Sequence, residues 1–182
     1  MVASLLSGTP AAAGFDAPLA LLSACHQRIT KQCATLQRLV AHLVSHGADG
    51  AAQQAAEQVM RYFDTAGHHH HQDEEQDLFP ALLEAMAGSD AVCLREMMAR
   101  IAKEHHALDA AWNTLRSQLV ALVHGDASAL DPACVADFVT LHQRHIEFEE
   151  GELLPMAARL LSDEQLQVIG QAMRARRHIE TS

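Results

Sequence analysis

The segment HHQDEEQDLFP at residues 70–80 recurs as HIEFEEGELLP at residues 145–155, and this repeat decides the fold. In each segment a histidine is followed four residues later by the first of two adjacent glutamates, and a leucine and a proline match further on. Residues four apart lie on one face of a helix, so each segment predicts an imidazole and a carboxylate side by side. The chain is therefore predicted to contain two similar helical units. The pairs are His70 with Glu74 and His145 with Glu149.

Two other histidines replace apolar residues in otherwise regular helical patterns. Across residues 19–43 apolar side chains recur at steps of three and four, and the position that the pattern skips is His26. Across residues 94–119 the same rhythm skips His105. Such spacing is typical of amphipathic helices whose apolar stripe faces a core. Together with the repeat, these patterns predict four helices that each carry one inward-facing histidine.

The helical patterns and their short connections predict an all-α protein, an antiparallel up-down four-helix bundle with a short additional C-terminal helix over residues 164–176. Gly67 and Pro80 lie inside the second pattern. They predict local irregularity there, because proline removes a backbone hydrogen bond. Residues 1–15 are rich in Ala, Gly, Ser and Pro and are predicted to form a flexible N-terminal lead-in. Residues 16–182 then form one bundle domain.

The composition argues against several classes of function. Hydrophobic residues make up 49% of the chain and aromatic residues 4%, a balance that favours helix over strand. The 13 Lys and Arg against 23 Asp and Glu give a net charge of -10, which argues against nucleic acid and membranes as partners. The four cysteines lack zinc-binding spacing and are expected to be free thiols. No secretory signal or membrane-spanning apolar run is evident, so we expect a cytoplasmic protein.

The histidines and glutamates of the four patterns occupy core-facing positions, where an unpaired ionised carboxylate is costly. No Lys or Arg lies on these stripes near the repeated pairs, so a metal cation is the expected counter-charge. Four imidazoles and two carboxylates exceed the ligand set of one ion and suit two neighbouring ions that the glutamates bridge. The predicted metal ligands are His26, His70, Glu74, His105, His145 and Glu149.

Two further histidines are alternative or additional ligands. His71 stands four residues before Glu75 and is therefore an alternative to His70. The repeat favours His70, whose counterpart in the second segment is His145. His142 lies one turn before His145 near the apolar stripe, and is a candidate for a fifth ligand or for an outer position beside one.

The donor types favour iron. Mixed nitrogen and oxygen ligands with open positions suit iron, whereas zinc more often closes a tetrahedron and magnesium or calcium prefers oxygen alone. Manganese and zinc stay as alternatives. Ferritin-like di-iron bundles, the alternative fold, use Glu-x-x-His at three-residue spacing with a majority of carboxylates, and this chain has neither feature.

Over residues 15–177 the chain resembles the hemerythrin-like family, which is named for its HHE cation-binding motif. The resemblance rests on the segments ACHQRI, HHHHQDEEQDLFP, KEHHALDAAW and RHIEFEEGELLP, which carry the six predicted ligands. It implies an antiparallel four-helix bundle with an oxo- or hydroxo-bridged pair of iron ions that binds oxygen, nitric oxide or peroxide. Oxygen-carrying members have a second histidine four residues after that of the third helix, where this chain has Asp109. The likeness is closer to bacterial stand-alone members associated with iron handling and nitrosative or oxidative stress.

The ligand set and the resemblance lead to two main hypotheses for function. The first is a non-haem di-iron protein that binds a diatomic ligand, oxygen or nitric oxide, for sensing, storage or stress protection. The alternative is a di-iron enzyme that consumes peroxide or nitric oxide, or a donor of iron for the repair of damaged iron centres. A third hypothesis is a site in which metal only stabilises the fold.

Overall fold

The computed structural model describes residues 14–86 and 91–178, so most of the predicted lead-in and the last four residues of the domain lie outside the described residues. The described residues form eight α-helices, three short π-helical turns and no strand. The helices are α1 (Pro18–His46), α2 (Gly50–Tyr62), α3 (His68–Gln72), α4 (Phe79–Ala85), α5 (Ala91–Val123), α6 (Pro132–Phe148), α7 (Leu154–Leu160) and α8 (Asp163–Arg176).

The long helices form a closed ring of neighbours. Helix α1 packs on α2 and α6, α2 packs on α5, and α5 packs on α6. Because the connections are short, consecutive members run antiparallel. Helix α8 lies outside this ring against α1. The arrangement confirms the predicted all-α bundle with an additional C-terminal helix. Along the described chain, every helix is too short or too polar to cross a membrane.

The helix starts follow from their capping residues. The Asp49 carboxylate accepts a hydrogen bond from the backbone N–H of Ala52 at the start of α2. Asp131 caps α6 in a similar way, and Ser162 opens α8 with a capping box. These oxygens satisfy N–H groups that have no partner within the first helical turn.

The second and fourth helices of the bundle are continuous but contain π-helical turns. Helices α2, α3 and α4 are joined by turns at Phe63–Gly67 and Asp73–Leu78, and α6 joins α7 through a turn at Glu149–Leu153. A proline follows the last two of these turns, where its missing N–H and its ring disfavour regular helical bonding. The irregularity predicted at Gly67 and Pro80 is confirmed. Such turns are frequent at functional sites.

The apolar core is divided into two clusters with a polar layer between them. Leu36, Val59 and Phe138 belong to one cluster and are fully buried. Leu22 and Leu78 belong to the other and are also fully buried. Both clusters draw side chains from all four bundle helices, so they hold the helices together above and below the polar layer.

Helix α8 is attached to the bundle by two arginines, which we call the arginine clamp. The carboxylate of Asp73 is wholly buried and accepts hydrogen bonds from both Arg176 and Arg177, with 2.6 Å between Arg177 Nη2 and Asp73 Oδ2. Arg176 Nη2 also lies 2.7 Å from Asp77 Oδ2. The clamp therefore fixes the π-helical turn that follows His70.

Candidate metal centre

Six polar side chains from all four bundle helices converge between the two apolar clusters. They are the six predicted ligands, and the exposed fraction of each residue is 3% or less. Helix α1 supplies His26, α3 supplies His70, α5 supplies His105 and α6 supplies His145. The two glutamates come from the π-helical turns that directly follow their histidines. They are Glu74 and Glu149.

One group of donor atoms comprises His26, His70, Glu74 and Glu149, whose donors all lie within 4.8 Å of one another. The Nε2 atoms of His26 and His70 are 3.1 Å apart. His26 Nε2 is 3.0 Å from Glu149 Oε2, and His70 Nε2 is 3.6 Å from Glu74 Oε1. Two imidazole nitrogens and two carboxylate oxygens therefore face one small volume.

A second group comprises His105, His145 and the same two glutamates, again within 4.8 Å. His105 Nε2 is 3.2 Å from Glu74 Oε2, and His145 Nε2 is 3.1 Å from Glu149 Oε1. Because Glu74 and Glu149 belong to both groups, the two candidate ion positions are adjacent. Each glutamate offers an oxygen to either position.

The hydrogen bonding tests whether a metal fits here. Both carboxylate oxygens of Glu74 and of Glu149 are buried and make no hydrogen bond of normal geometry among the described residues, and the same holds for Nε2 of His105 and of His145; the nearest polar neighbours of the oxygens are histidine Nε2 atoms at 3.0–3.6 Å. Buried polar atoms are normally paired, and each unpaired one costs about 1–3 kcal/mol or more when charged. Six such atoms around one point fit cations as their missing partners. The donor set fits two ions.

Two outer glutamates orient histidines of the neighbouring helices. Glu75, next to Glu74 in the chain, lies with Oε1 2.6 Å from Nδ1 of His105. In the second repeat, Glu150 Oε1 lies 2.6 Å from Nδ1 of His26. A carboxylate accepts, so each Nδ1–H donates and Nε2 faces the centre, where it can give its lone pair to a metal once it is deprotonated. The second glutamate of each repeat therefore serves a histidine on another helix.

Sequence reasoning missed a third outer carboxylate, Glu104. Its Oε2 lies 3.0 Å from Nδ1 of His145 and fixes that ring in the same way. Glu104 directly precedes His105 in the chain, so adjacency to a predicted ligand was the available signal. The buried Asp73 was also missed, because it lies in an acidic run and its arginine partners are more than 100 residues away.

The carboxylates set the protonation of two histidines in the metal-free protein. Burial opposes a charge on His26, but the ionised carboxylate of Glu149, with that of Glu150, outweighs burial and raises the pKa of His26 to about 9. Burial likewise opposes a charge on His105, and the neighbouring carboxylates raise its pKa to about 10. Both rings are imidazolium at pH 7 when no metal is bound.

The other four predicted ligands differ in protonation at pH 7. Glu74 is protonated, Glu149 is ionised, and His70 and His145 are neutral. Burial and the nearby charge of Glu149 raise the pKa of Glu74 to about 8. Burial opposes ionisation of Glu149, but its neighbouring histidines outweigh it and hold the pKa well below its usual range. Burial lowers the pKa of His70 and of His145, so both imidazoles are neutral.

His71 lies beside the second group. Its ring stacks on that of His105, with centroids 4.0 Å apart and ring planes 12° from parallel. One of its nitrogens forms a third group with those of His105 and His145. Its Nδ1 is 3.6 Å from Asp109 Oδ1. Glu75, which stands four residues after His71, is hydrogen-bonded to His105 and not to His71. His71 is thus at the centre in addition to His70, not in place of it.

His142 is buried but belongs to none of the three groups of donor atoms found among the described residues. Its Nδ1 lies 3.1 Å from the carbonyl oxygen of Phe138, one turn earlier in α6. Burial lowers the pKa of His142 to about 3, so the ring is neutral. The structure brings His71 to the centre and leaves His142 outside it.

A cavity of about 460 Å³ adjoins the centre on the side of His71. Its walls include the rings of Phe63, Trp112 and Phe138, and both His71 and His142 line it. We call this cavity the aromatic cleft. It meets the centre through His71, whose ring stacks on that of His105.

Comparison with known proteins agrees with this arrangement. The model of the Hemerythrin HHE cation binding domain matches residues 17–157, which contain all six side chains of the first two groups. The chain is 32% identical over 168 residues to an uncharacterized protein of Haemophilus influenzae. That alignment covers 92% of this chain and 94% of the relative. The fold, the gathered histidines and glutamates and the family match lead to one conclusion: this metal-binding chain belongs to the hemerythrin HHE cation-binding domain family.

Proposed function

We propose that this protein is a non-haem di-iron protein that binds oxygen or nitric oxide for sensing, storage or stress protection. The observation that carries the proposal is the pair of buried glutamates, Glu74 and Glu149, whose four oxygens make no hydrogen bond of normal geometry among the described residues and face two groups of imidazoles. Two shared carboxylates are the bridging arrangement expected of two neighbouring ions.

The donor count supports iron over the alternatives. Each group offers two imidazole nitrogens and one oxygen from each glutamate, which is fewer than the six donors of an octahedral ion. A site of nitrogen and oxygen donors with open positions suits iron, and manganese or zinc are the competing metals. When bound, iron supplies a redox-active centre with positions for an oxo or hydroxo bridge and for a small exogenous ligand.

The chain itself orients the ligands and charges of this site. Glu75, Glu104 and Glu150 each accept a hydrogen bond from Nδ1 of one histidine, which selects the tautomer and makes Nε2 the more basic nitrogen. We further propose His71 as a fifth imidazole donor beside His105, because one of its nitrogens lies within 4.8 Å of those of His105 and His145. His142 is not proposed as a ligand.

A titration with oxygen or nitric oxide tests the binding function. The iron-loaded protein, reduced and free of air, is titrated with each gas while the absorption spectrum is recorded. We expect new ligand-to-iron absorption bands that saturate at one ligand per iron pair. Glu74→Gln should lose the bands together with the iron, whereas the exposed Glu57→Gln should retain both. A fully iron-loaded sample that gives no bands would refute the proposal.

An enzyme that acts on peroxide or nitric oxide is the second candidate. The aromatic cleft favours it, because the cavity reaches His71 at the centre and has room for a second reactant. Consumption of many equivalents of peroxide or nitric oxide per iron pair, with a reductant present, would select this candidate over stoichiometric binding. Release of iron to an acceptor protein would select an iron donor instead.

We also propose a cytoplasmic location. All four cysteines are free, and two of them, Cys25 and Cys33, are buried in the bundle. Burial raises the pKa of both thiols. A chain with unpaired cysteines suits a reducing compartment.

A further inference from the structure

The aromatic cleft is much larger than a diatomic ligand requires. Its volume of about 460 Å³ falls within the range of roughly 300–1,000 Å³ that is typical of sites for small organic molecules. A water molecule in the liquid takes up about 30 Å³, and a diatomic gas is of similar size. The excess volume therefore calls for a ligand larger than oxygen or nitric oxide.

The wall of the cleft is built from three aromatic rings in mutual contact. The ring centroids of Phe63 and Trp112 are 4.9 Å apart, those of Phe63 and Phe138 are 5.1 Å apart, and those of Trp112 and Phe138 are 5.8 Å apart. The aliphatic side chains of Ile29 and Leu108 complete this apolar surface. Offset and edge-on contacts with such rings favour a flat, apolar body.

The wall also contains a buried hydrogen-bond acceptor that belongs to none of the groups of candidate metal donors, His142. A carbonyl oxygen can only accept, so the 3.1 Å contact with Phe138 places the ring proton of His142 on Nδ1. Nε2 is then the acceptor of this ring. His142 lines the cleft and its one hydrogen bond within the described residues is made by Nδ1, so Nε2 is available to a hydroxyl donor of a ligand.

The rim of the cleft contributes little net charge. The Asp64 carboxylate accepts from Arg116 Nε, 2.9 Å away, and from Trp112 Nε1, 3.1 Å away. Its charge is thus matched by one arginine. Asp109 is more than half exposed and faces His71. The unmatched charge of this lining is that of Asp109, which lies at the exposed rim, whereas the buried part of the wall has no charged group and suits an uncharged molecule.

We propose that the aromatic cleft binds a planar, uncharged organic molecule that bears a hydroxyl group, as phenols do. Its ring packs against Trp112 and Phe63, which rest on the buried ring of Phe138, and its hydroxyl donates to Nε2 of His142. The site goes beyond the binding of a diatomic gas and does not depend on which metal the centre holds. It places an organic ligand next to His71 at the metal centre.

The single tryptophan of the chain, Trp112, reports directly on the cleft. The probe is 4-methylphenol, with toluene as the analogue that lacks the hydroxyl. Trp112 emission is followed at an excitation wavelength where neither probe absorbs, with calorimetry as the second measurement. We expect saturable binding of both probes, with 4-methylphenol about threefold to tenfold tighter, the factor of one net hydrogen bond.

Variants at His142 test the acceptor. His142→Phe keeps a flat ring and should abolish the preference for 4-methylphenol while toluene still binds, and the exposed His124→Phe should preserve the preference. Equal affinities for the two probes in the natural protein, or an unchanged preference in folded His142→Phe, would overturn the assignment of the hydroxyl to His142. If His142→Phe does not fold, the comparison of the two probes on the natural protein decides alone.

The experiment separates this inference from the proposed function. All titrations are run on metal-free and iron-loaded protein. Absence of saturable binding in a protein that reacts with oxygen or nitric oxide overturns the cleft ligand and leaves the proposed function intact. Binding of 4-methylphenol by a protein that takes up no iron supports the cleft ligand and refutes the proposed function.

Discussion

Loading of ferrous iron into the metal-free protein at pH 7 should release roughly three protons. His26, His105 and Glu74 hold these protons, because their pKa values are about 9, about 10 and about 8. A metal ligand must present a lone pair, so each group gives up its proton on binding. The positive charge that the protons provide beside Glu149 is then supplied by the cations. Protons thus take the place of metal in the empty centre.

The sign and size of the pH dependence follow from this count. Because the pKa values of these groups lie above 7, lower pH favours the protonated empty site and higher pH favours metal. With three protons released, the combined binding constant for the ions should rise by about three powers of ten per pH unit near pH 7, or about 4 kcal/mol. The increase levels off as the pH passes the pKa values of the three groups.

Calorimetry measures the proton count. Metal-free protein is titrated with ferrous salt without air in two buffers that differ in ionisation enthalpy, and the difference in heat gives the protons released. Glu74→Gln, which is expected to lose the iron, should show neither the heat of binding nor the release of protons. A release below one proton, or iron binding that does not change between pH of about 6 and 7.5, would refute the reasoning.

Three other predictions concern the outer glutamates, the arginine clamp and the packing of α8. Glu150→Gln should weaken iron binding about tenfold to a hundredfold, measured in competition with a chelator, whereas the exposed Glu147→Gln should not weaken it. Equal iron affinities of the two variants would contradict the orienting role of Glu150. Replacing both clamp arginines with alanine leaves Asp73 buried without a counter-charge. The free energy of unfolding, measured in urea, should fall by about 3–5 kcal/mol, and an unchanged value would contradict the role of the clamp. Gly170→Ala places a methyl group against the backbone carbonyl of Phe15 and should lower the free energy of unfolding by about 1–3 kcal/mol. Gly50→Ala meets open space and should leave it nearly unchanged, and a larger loss for Gly50→Ala than for Gly170→Ala would contradict the packing.

The bundle and the inward-facing histidines could be predicted because their signal is local. His26 and His105 each interrupt a regular apolar stripe, and a stripe fixes which face of a helix is buried whatever its partner is. The offset between the repeats distinguished His70 from its neighbour His71 as the partner of Glu74. Four gathered imidazoles and two carboxylates therefore followed from spacing, while their role as metal ligands stays a prediction.

The remaining features depend on how the helices are rotated about each other. Glu104 meets His145 across 41 residues, and Asp73 meets Arg177 across 104 residues, so no spacing within one helix reveals either pair. In the sequence Asp73 resembles a solvated residue of an acidic run. The position of His71 beside His105 likewise requires the packed structure. These contacts arise from tertiary packing alone.

The outer glutamates of the two repeats interlock the halves of the molecule. Glu75 belongs to the N-terminal pair of helices yet holds His105 in the C-terminal pair, and Glu150 in the C-terminal pair holds His26 in the other. Separating the chain into two fragments between α4 and α5 would remove both contacts, that of Glu75 with His105 and that of Glu150 with His26. Neither hairpin alone could assemble the centre, because each half supplies the carboxylate that orients a histidine of the other.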